Sequence, residues 1–244
     1  MQLADSWLIP LRLQAAGFGG AEVREGLGHL GMALTLAQFP NIVTVALATS
    51  LVPAISEAWA LKKDRLIKHR AEEALRIALI FGIPSCAALW VLAEPLGQVL
   101  FGYSQVASPL RILAVGTVTL GAIQASTGVL QGLGVMSLPV RNLGLGVLLK
   151  FALNYLLVAE PSLGILGAAW STTLSWALIA VLNLVSVWRR VGNVINWRSA
   201  VVYPVLASGG TAALLYLLQD TLAHFLPAAA ATLGPLVFCF VLYL

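Results

Sequence analysis

Seven apolar segments of membrane-spanning length follow one another along most of this chain. They cover residues 30–57, 76–100, 109–131, 138–158, 164–188, 199–218 and 222–244. A bilayer's hydrocarbon core is about 30 Å thick, so a helix that rises about 1.5 Å per residue crosses it in about 20 residues. The alternating ten-residue patterns of a membrane barrel are absent from the sequence. The sequence therefore predicts an all-α, polytopic membrane helix bundle with about seven transmembrane helices.

Hydrophobic residues make up 59% of the chain and charged residues 10%. A typical soluble domain has about half apolar and about a quarter charged residues. This excess of apolar residues favours a lipid environment over a water-soluble core.

Positive charges fall in every second gap between the apolar segments. The gaps at 102–107, 159–163 and 219–221 contain no lysine or arginine. By the positive-inside rule the basic gaps face the cytoplasm, so we expect the N-terminus outside and the C-terminus in the cytoplasm. The net charge of +4 then reflects topology, and we expect no nucleic-acid partner. The basic residues of these gaps are Lys62, Lys63, Arg65, Lys68, Arg70, Arg141, Arg189, Arg190 and Arg198.

The chain divides into a lead-in at 1–27 and a seven-helix lobe at 28–244. An outside N-terminus without a signal sequence suggests that an upstream span is missing, so we interpret 1–27 as the end of that preceding helix and an extracytoplasmic loop. A basic cytoplasmic loop is predicted at 58–75. Its basic side chains either reach anionic lipid headgroups from an amphipathic helix or serve only to fix the topology.

Lys150 lies near the middle of the fourth apolar segment. An ammonium at that depth costs about 2.5–3.5 kcal/mol unless water or a partner receives it. Asn154 lies one turn further along the same helix face. These two side chains predict a polar stripe that faces a cavity or a carboxylate.

Three more polar side chains accompany this pair. Counting depth along each segment places Glu94 and Arg111 in the outward half, which allows a Lys150–Glu94 ion pair, and Gln124 adds a polar group to the third segment. Lys150 therefore either lines a substrate cavity or forms a buried structural pair or reaches outward to the interface. The candidate cavity residues are Lys150, Asn154, Gln124, Arg111 and Glu94.

Motifs of catalysis and cofactor binding are weak in this sequence. GLGHLG has the glycine spacing of a dinucleotide-binding loop, but no strand pattern precedes it and an apolar segment follows. The three histidines are far apart without carboxylates at ligand spacing, and no paired-carboxylate or serine–lysine arrangement is evident. We predict no enzyme activity, no metal site and no cofactor.

Small residues and prolines give structural predictions. The pairs Gly128/Gly132 and Gly164/Ala168 have the spacing of close helix contacts. Prolines interrupt several segments and predict bends there that serve either as structural kinks or as gating hinges. These prolines are Pro40, Pro53, Pro84, Pro95, Pro204 and Pro235.

Long stretches of the chain resemble a known family. They are ADSWLIPLRLQAAGF, PNIVTVALATSLVPAISEA, ALRIALIFGIPSCAALWVLAEPLGQVLFG, LQGLGVMSLPVRNLGLGVLLKFALNYLLV and LGILGAAWSTTLSWALIAVLNL. In this order they are similar to the second half of the stage V sporulation protein B-like polysaccharide biosynthesis proteins. That family lies in the multidrug/oligosaccharidyl-lipid/polysaccharide exporter superfamily, which also contains lipid II flippases.

The resemblance implies a half-molecule of a two-lobed transporter with about fourteen helices and alternating access. It implies a cell-membrane protein that moves a lipid-linked saccharide, such as a peptidoglycan precursor, and that works with an N-terminal lobe and membrane lipids. In this interpretation Lys150 and Arg111 supply positive charge to the headgroup, while Asn154 and Gln124 bond to sugar. Two alternatives stay open: an ion-coupled multidrug exporter of the same superfamily, and a truncated module that transports nothing.

Overall fold

The computed structural model describes residues 2–194, 201–206 and 208–210, and every regular element within those ranges is helical. The longest helices after the N-terminal pair carry most of the predicted apolar segments. The predicted segment 222–244 and the C-terminus lie outside the described residues, as does most of the segment 199–218. The helices are α1 Gln2–Ala15, α2 Gly20–Gln38, α3 Asn41–Ala60, α4 Asp64–Val91, α5 Ala93–Phe101, α6 Ala107–Gly132, α7 Ser137–Leu157 and α8 Ile165–Val191, with a 3-10 turn at Ser104–Val106 before α6.

Five helical segments of the described chain are long and apolar enough to cross a membrane. They are α3, α4, α6 with its 3-10 turn, α7 and α8. The predicted segments 109–131, 138–158 and 164–188 coincide with α6, α7 and α8 to within a few residues. The all-α, multi-pass fold class is confirmed.

The first two predicted segments are each divided by a proline. The segment 30–57 breaks at Phe39–Pro40, where Pro40 has no N–H for the Leu36 carbonyl and the Phe39 N–H takes that oxygen at 3.2 Å. Both residues keep helical backbone angles, so α3 follows α2 after an interruption of only two residues. The segment 76–100 breaks at Leu92, three residues before Pro95. Pro53 and Pro84 stay inside α3 and α4.

The lead-in and the basic loop are more helical than the sequence pattern indicated. Residues 1–27 contain α1 and the first turns of α2, with a short turn at 16–19. Within 58–75, α3 continues to Ala60 and α4 begins at Asp64, so the connection shrinks to residues 61–63. The basic side chains therefore project from helix ends and a tight turn.

Helix α6 lies at the centre and packs against α2, α3, α4 and α8. A β-carbon at Gly128 would lie 3.0 Å from the Ala48 carbonyl oxygen, and one at Gly132 would lie 2.5 Å from the Ile55 β-carbon. These approaches confirm the predicted helix contact of Gly128 and Gly132. Gly164 instead precedes α8 with a positive φ of 49°, a conformation that favours glycine.

The bundle has two distinct ends. At the basic end, Ala58 of α3, Ile67 of α4 and Val187 of α8 pack into one apolar cluster. At the opposite end, Leu13 of α1 and Val158 after α7 belong to a second cluster. The basic loops and the loops without lysine or arginine therefore lie at different ends of the molecule.

Candidate functional site: a buried ion pair and an exposed polar stripe

The ammonium of Lys150 forms a buried ion pair with Asp5. Lys150 Nζ lies 2.5 Å from Asp5 Oδ2, and the two side chains are only 8% and 17% exposed. Asn154 Nδ2 donates to the other carboxylate oxygen at 3.0 Å. Lys150 and Asn154 lie one helical turn apart on α7, so both reach Asp5 on α1 from the same face.

Asn154 extends this contact to a third helix. The hydroxyl of Ser171 on α8 donates to Asn154 Oδ1. We call Asp5, Lys150, Asn154 and Ser171 the polar network. Its charges are neutralised internally, so an anionic ligand reaches Lys150 only by displacing Asp5.

A second contact joins α1 to α7 near the end of the bundle that lies opposite the basic end. Arg12 Nε donates to the Tyr155 carbonyl oxygen at 3.1 Å, and the guanidinium lies 3.9 Å from the centre of the Tyr155 ring. A cation over an aromatic face is attracted by the ring electrons. Two polar contacts, one buried and one exposed, therefore attach α1 to α7.

The other sequence candidates do not join the polar network. Arg111 on α6 pairs with Glu94 on α5 at 3.6 Å, and their side chains are 43% and 64% exposed. Gln124 is half-buried on α6. The Lys150–Glu94 pair that the depth count allowed is wrong, because each of these residues has another partner. The structure brings together Lys150 with Asn154, and Arg111 with Glu94.

Asp5 was missed at the sequence level because it lies in the lead-in, outside the predicted segments. One signal was available. Asp5 is followed by the apolar run Trp7, Leu8 and Ile9, and a carboxylate next to such a run is the kind of partner that a buried lysine needs.

An exposed polar stripe runs along α2. Gly28, Gly31 and Thr35 follow one another at helical spacing, and all are exposed, whereas the other face buries Leu30 and Ala33. A helix face turned to lipid is normally apolar, so a stripe of this kind indicates contact with water or with another protein surface. The polar stripe consists of Arg24, Gly28, Gly31, Thr35 and Gln38.

A cavity of about 330 Å³ opens near the opposite end, between α1, α2 and the start of α8. Glu22, Glu25 and His29 supply its polar wall, together with Gln105. The His29 ring lies 5.4 Å from the Tyr103 ring. Within the described residues, histidines, cysteines and carboxylates form no group of three that could hold a metal ion.

A second buried polar cluster links α6, α7 and α8. Asn142 Nδ2 donates to Asn183 Oδ1 at 2.9 Å, and Asn183 Nδ2 donates to Thr127 Oγ1 at 3.0 Å. Both asparagines are almost fully buried. Such interhelical hydrogen bonds fix the relative rotation of membrane helices.

Replacing Asn183 with leucine is expected to lower the free energy of unfolding by about 1 kcal/mol, because Asn142 and Thr127 both lose a partner. Denaturant unfolding of the chain in detergent micelles measures this change. Thr49→Val is the control, since the Thr49 hydroxyl is exposed and bonds only to Ala46 within its own helix. A Thr49→Val effect as large as that of Asn183→Leu would contradict the assigned role.

Comparisons with known proteins place this geometry in context. The MatE family model matches residues 24–156, which is more than half of the chain. Stage V sporulation protein B of Bacillus subtilis is 35% identical over 179 residues. That alignment covers 72% of this chain and 34% of the relative, so the chain spans about a third of the relative's length.

Two solved structures share the fold. "Lipid II flippase MurJ, inward closed conformation" superposes with a TM-score of 0.68 at 15% identity, covering 89% of this chain and 45% of that chain. An inward-facing multidrug resistance MATE family transporter of the MOP superfamily gives a TM-score of 0.59 at 21% identity, covering 98% of this chain and 55% of the other. At these identities the likeness concerns the fold alone.

Proposed function

The chain belongs to the MatE family, and on that premise we propose that it is one lobe of a transporter that moves a lipid-linked saccharide across the cytoplasmic membrane. Its membership confirms the resemblance inferred from the sequence. The likeness in fold to a lipid II flippase over 45% of that chain supports a lobe that works with a complementary N-terminal lobe. The transported molecule would then be a polyprenyl-type lipid with a saccharide headgroup, such as a peptidoglycan or polysaccharide precursor.

The proposed orientation places the basic end in the cytoplasm. Lys62, Lys63 and Arg65 at the α3–α4 turn, Arg141 at the start of α7 and the arginine pair at the end of α8 all lie there. An excess of lysine and arginine on one side is typical of cytoplasmic loops. The proposal keeps the N-terminus outside and the C-terminus in the cytoplasm, although the C-terminus lies outside the described residues.

The observation that carries the proposal is the polar stripe on α2. A saccharide headgroup needs hydrogen-bond partners or water along its whole path, while its lipid tail stays in the bilayer. Gly28 and Gly31 leave open space above the helix backbone, since a β-carbon at either position would meet no atom within 4 Å. Thr35 and Gln38 add hydrogen-bonding groups next to that space.

Lys150 has a conditional role in this proposal. Its ammonium is paired with Asp5, so a headgroup phosphate binds Lys150 only in a conformation in which α1 has moved away from α7. Asn154 then bonds to the headgroup in place of Asp5. Gln124, Arg111 and Glu94 are proposed as further cavity residues, with Arg111 the most exposed of the cationic candidates inside the lobe.

The stripe is tested in a two-lobed transporter assembled from this chain and a complementary first lobe. Thr35→Leu combined with Gln38→Leu is expected to reduce the flipping rate about 30-fold, because each of the two lost hydrogen bonds is worth about 1 kcal/mol. A leaflet-accessibility assay on a lipid-linked saccharide measures the rate. The control is Leu148→Met, which changes an exposed apolar side chain on α7. Flipping at an unchanged rate in the double variant would rule out the stripe as the path.

An ion-coupled multidrug exporter is the second candidate, supported by the likeness in fold to a multidrug resistance transporter over 98% of this chain. The same assembled protein distinguishes the two functions. Export of cationic drugs with no effect on lipid-linked saccharides would favour the exporter. Saccharide flipping without drug export would favour the flippase.

A further inference from the structure

Three basic side chains lie in the turn between α3 and α4 and in the first turn of α4. Lys62, Lys63 and Arg65 are exposed, and none of them forms an ion pair within the part of the chain that the structure describes. The next two basic residues differ. Lys68 lies 3.8 Å from Glu72 and Arg70 lies 3.3 Å from Glu73, so their charges are locally balanced. Because Asp64 lies among the three basic residues, residues 62–65 carry a net charge of +2, from three cations and one carboxylate.

The backbone of this turn holds Lys62 in a conformation that suits glycine better. Its φ is 53°, the only positive φ of a non-glycine residue in the described chain. The turn is closed by the Lys62 N–H to the Trp59 carbonyl and by the Lys63 N–H to the Ala58 carbonyl, both at 3.0 Å. These two hydrogen bonds form the left-handed cap that ends α3, and Lys62 and Lys63 follow it with their side chains in solvent.

The end of α8 adds charge beside the turn. Arg189 and Arg190 occupy the last turn of α8 and are exposed. Val187 packs in the same apolar cluster as Ala58 and Ile67, which bracket the α3–α4 turn. Helix α8 also contacts α4, so both groups of basic side chains lie at the basic end of the bundle.

Two exposed tryptophans accompany these charges. Trp59 is 55% exposed just before the turn, and Trp188 is 60% exposed next to Arg189. Tryptophan favours the boundary between the hydrocarbon core and the headgroups, where its ring contacts lipid and its N–H stays hydrated. Their position places the basic side chains at the depth of lipid phosphates.

We propose that this surface binds the phosphates of anionic phospholipids of the membrane. We call it the headgroup site, and it consists of Lys62, Lys63, Arg65, Arg189 and Arg190 between Trp59 and Trp188. A lipid headgroup fits better than a soluble phosphate, because only a lipid uses the tryptophan rings as well as the charges. This site goes beyond the proposed transport path, since it binds the surrounding membrane rather than the transported molecule.

The test titrates the detergent-solubilised chain with phosphatidylglycerol, phosphatidylcholine or inorganic phosphate and follows bound lipid by native mass spectrometry. We expect phosphatidylglycerol to bind more tightly than phosphatidylcholine, and phosphate alone not to compete at equal concentration. Lys62→Gln with Lys63→Gln is expected to weaken phosphatidylglycerol binding about 25-fold, or about fivefold for each lysine. Lys68→Gln with Arg70→Gln removes the same net charge and is expected to weaken binding by no more than about twofold.

The outcomes separate the headgroup site from a pure topology signal. Lysines that act only during membrane insertion would leave lipid binding by the purified chain unchanged in both double variants, which would overturn the proposal. Equal losses in the two double variants would overturn it as well, because they would indicate general charge attraction. Lys62→Arg with Lys63→Arg should retain binding. Thermal unfolding of each variant checks that these exposed substitutions leave the fold intact.

Discussion

Lys150→Met is expected to lower the free energy of unfolding by about 3–5 kcal/mol, the largest effect of any substitution considered for this chain. The substitution leaves the Asp5 carboxylate, which is 17% exposed, without its cation. Methionine has nearly the length of lysine, so little volume is lost. Reversible unfolding of the purified chain in mixed micelles measures the change.

The matched control removes both charges. Asp5→Leu combined with Lys150→Met is expected to recover most of the stability, because an apolar pair of similar volume replaces a buried ion pair at little cost. Asn154 still accepts the Ser171 hydrogen bond in this variant, but its Nδ2 loses the Asp5 acceptor, so the recovery is expected to fall short by about 1 kcal/mol. If the two single substitutions simply added in the double variant, the ion pair would not be the source of the loss.

The same double variant separates structural from transport roles. In the assembled two-lobed transporter it is expected to fold and yet to flip a lipid-linked saccharide more slowly, because the headgroup phosphate loses Lys150 and Arg111 is the one cationic cavity candidate left. A double variant that flips normally would leave Lys150 as a structural partner of Asp5 only. Lys150→Ala alone does not decide this question, since its loss of stability would hide the cause.

Gly167→Ala is expected to lower the free energy of unfolding by about 2–3 kcal/mol, the second largest effect. A β-carbon at Gly167 would lie 2.5 Å from the Leu157 carbonyl oxygen and 2.9 Å from the Val158 nitrogen. These are backbone atoms, so the start of α8 must move away from the end of α7. Gly167 is one turn before Ser171, so the shift also separates Ser171 from Asn154.

Gly144→Ala provides a control with the opposite sign. Gly144 lies inside α7, and a β-carbon there would meet nothing within 4 Å. Alanine in place of glycine within a helix stabilises by about 0.5–1 kcal/mol. Unfolding in micelles should therefore show a small gain for Gly144→Ala and a clear loss for Gly167→Ala. A loss of similar size at both positions would mean that the close approach at Gly167 is not responsible.

The sequence predicted the positions of the membrane-spanning helices well where an apolar segment forms one uninterrupted helix. Helices α6, α7 and α8 match their segments because no proline interrupts the interior of these runs, whereas Pro40 and Pro95 divide the first two. Hydropathy averaged over a window reports how apolar a segment is. It does not report which helix face carries the polar residues and glycines of that segment. The polar stripe with Gly28 and Thr35 was therefore not predicted.

The need of Lys150 for a partner could be predicted from the cost of its charge, but the identity of the partner could not. Matching depth among the apolar segments predicts Glu94 as the partner, whereas Asp5 lies outside those segments. Depth along a sequence does not specify which helices are neighbours. The contact of α1 with α7 depends on long-range packing, which a single sequence does not reveal.

The interruption at Phe39–Pro40 separates two helices that pack unequally against α6, with α3 in more extensive contact than α2. Helix α3 packs closely against α6, because Gly128 and Gly132 leave room for Ala48 and Ile55. Helix α2 has 19 residues, which corresponds to a length of about 28 Å, and it carries the polar stripe with Gly28. A rotation of α2 by about 10° about Pro40 would displace the N-terminal end of α2 by about 5 Å, roughly the rise of one helical turn. Such a rotation would also have to separate α2 from α6, since Leu30 and Ala33 of α2 are buried in the apolar cluster between the helices.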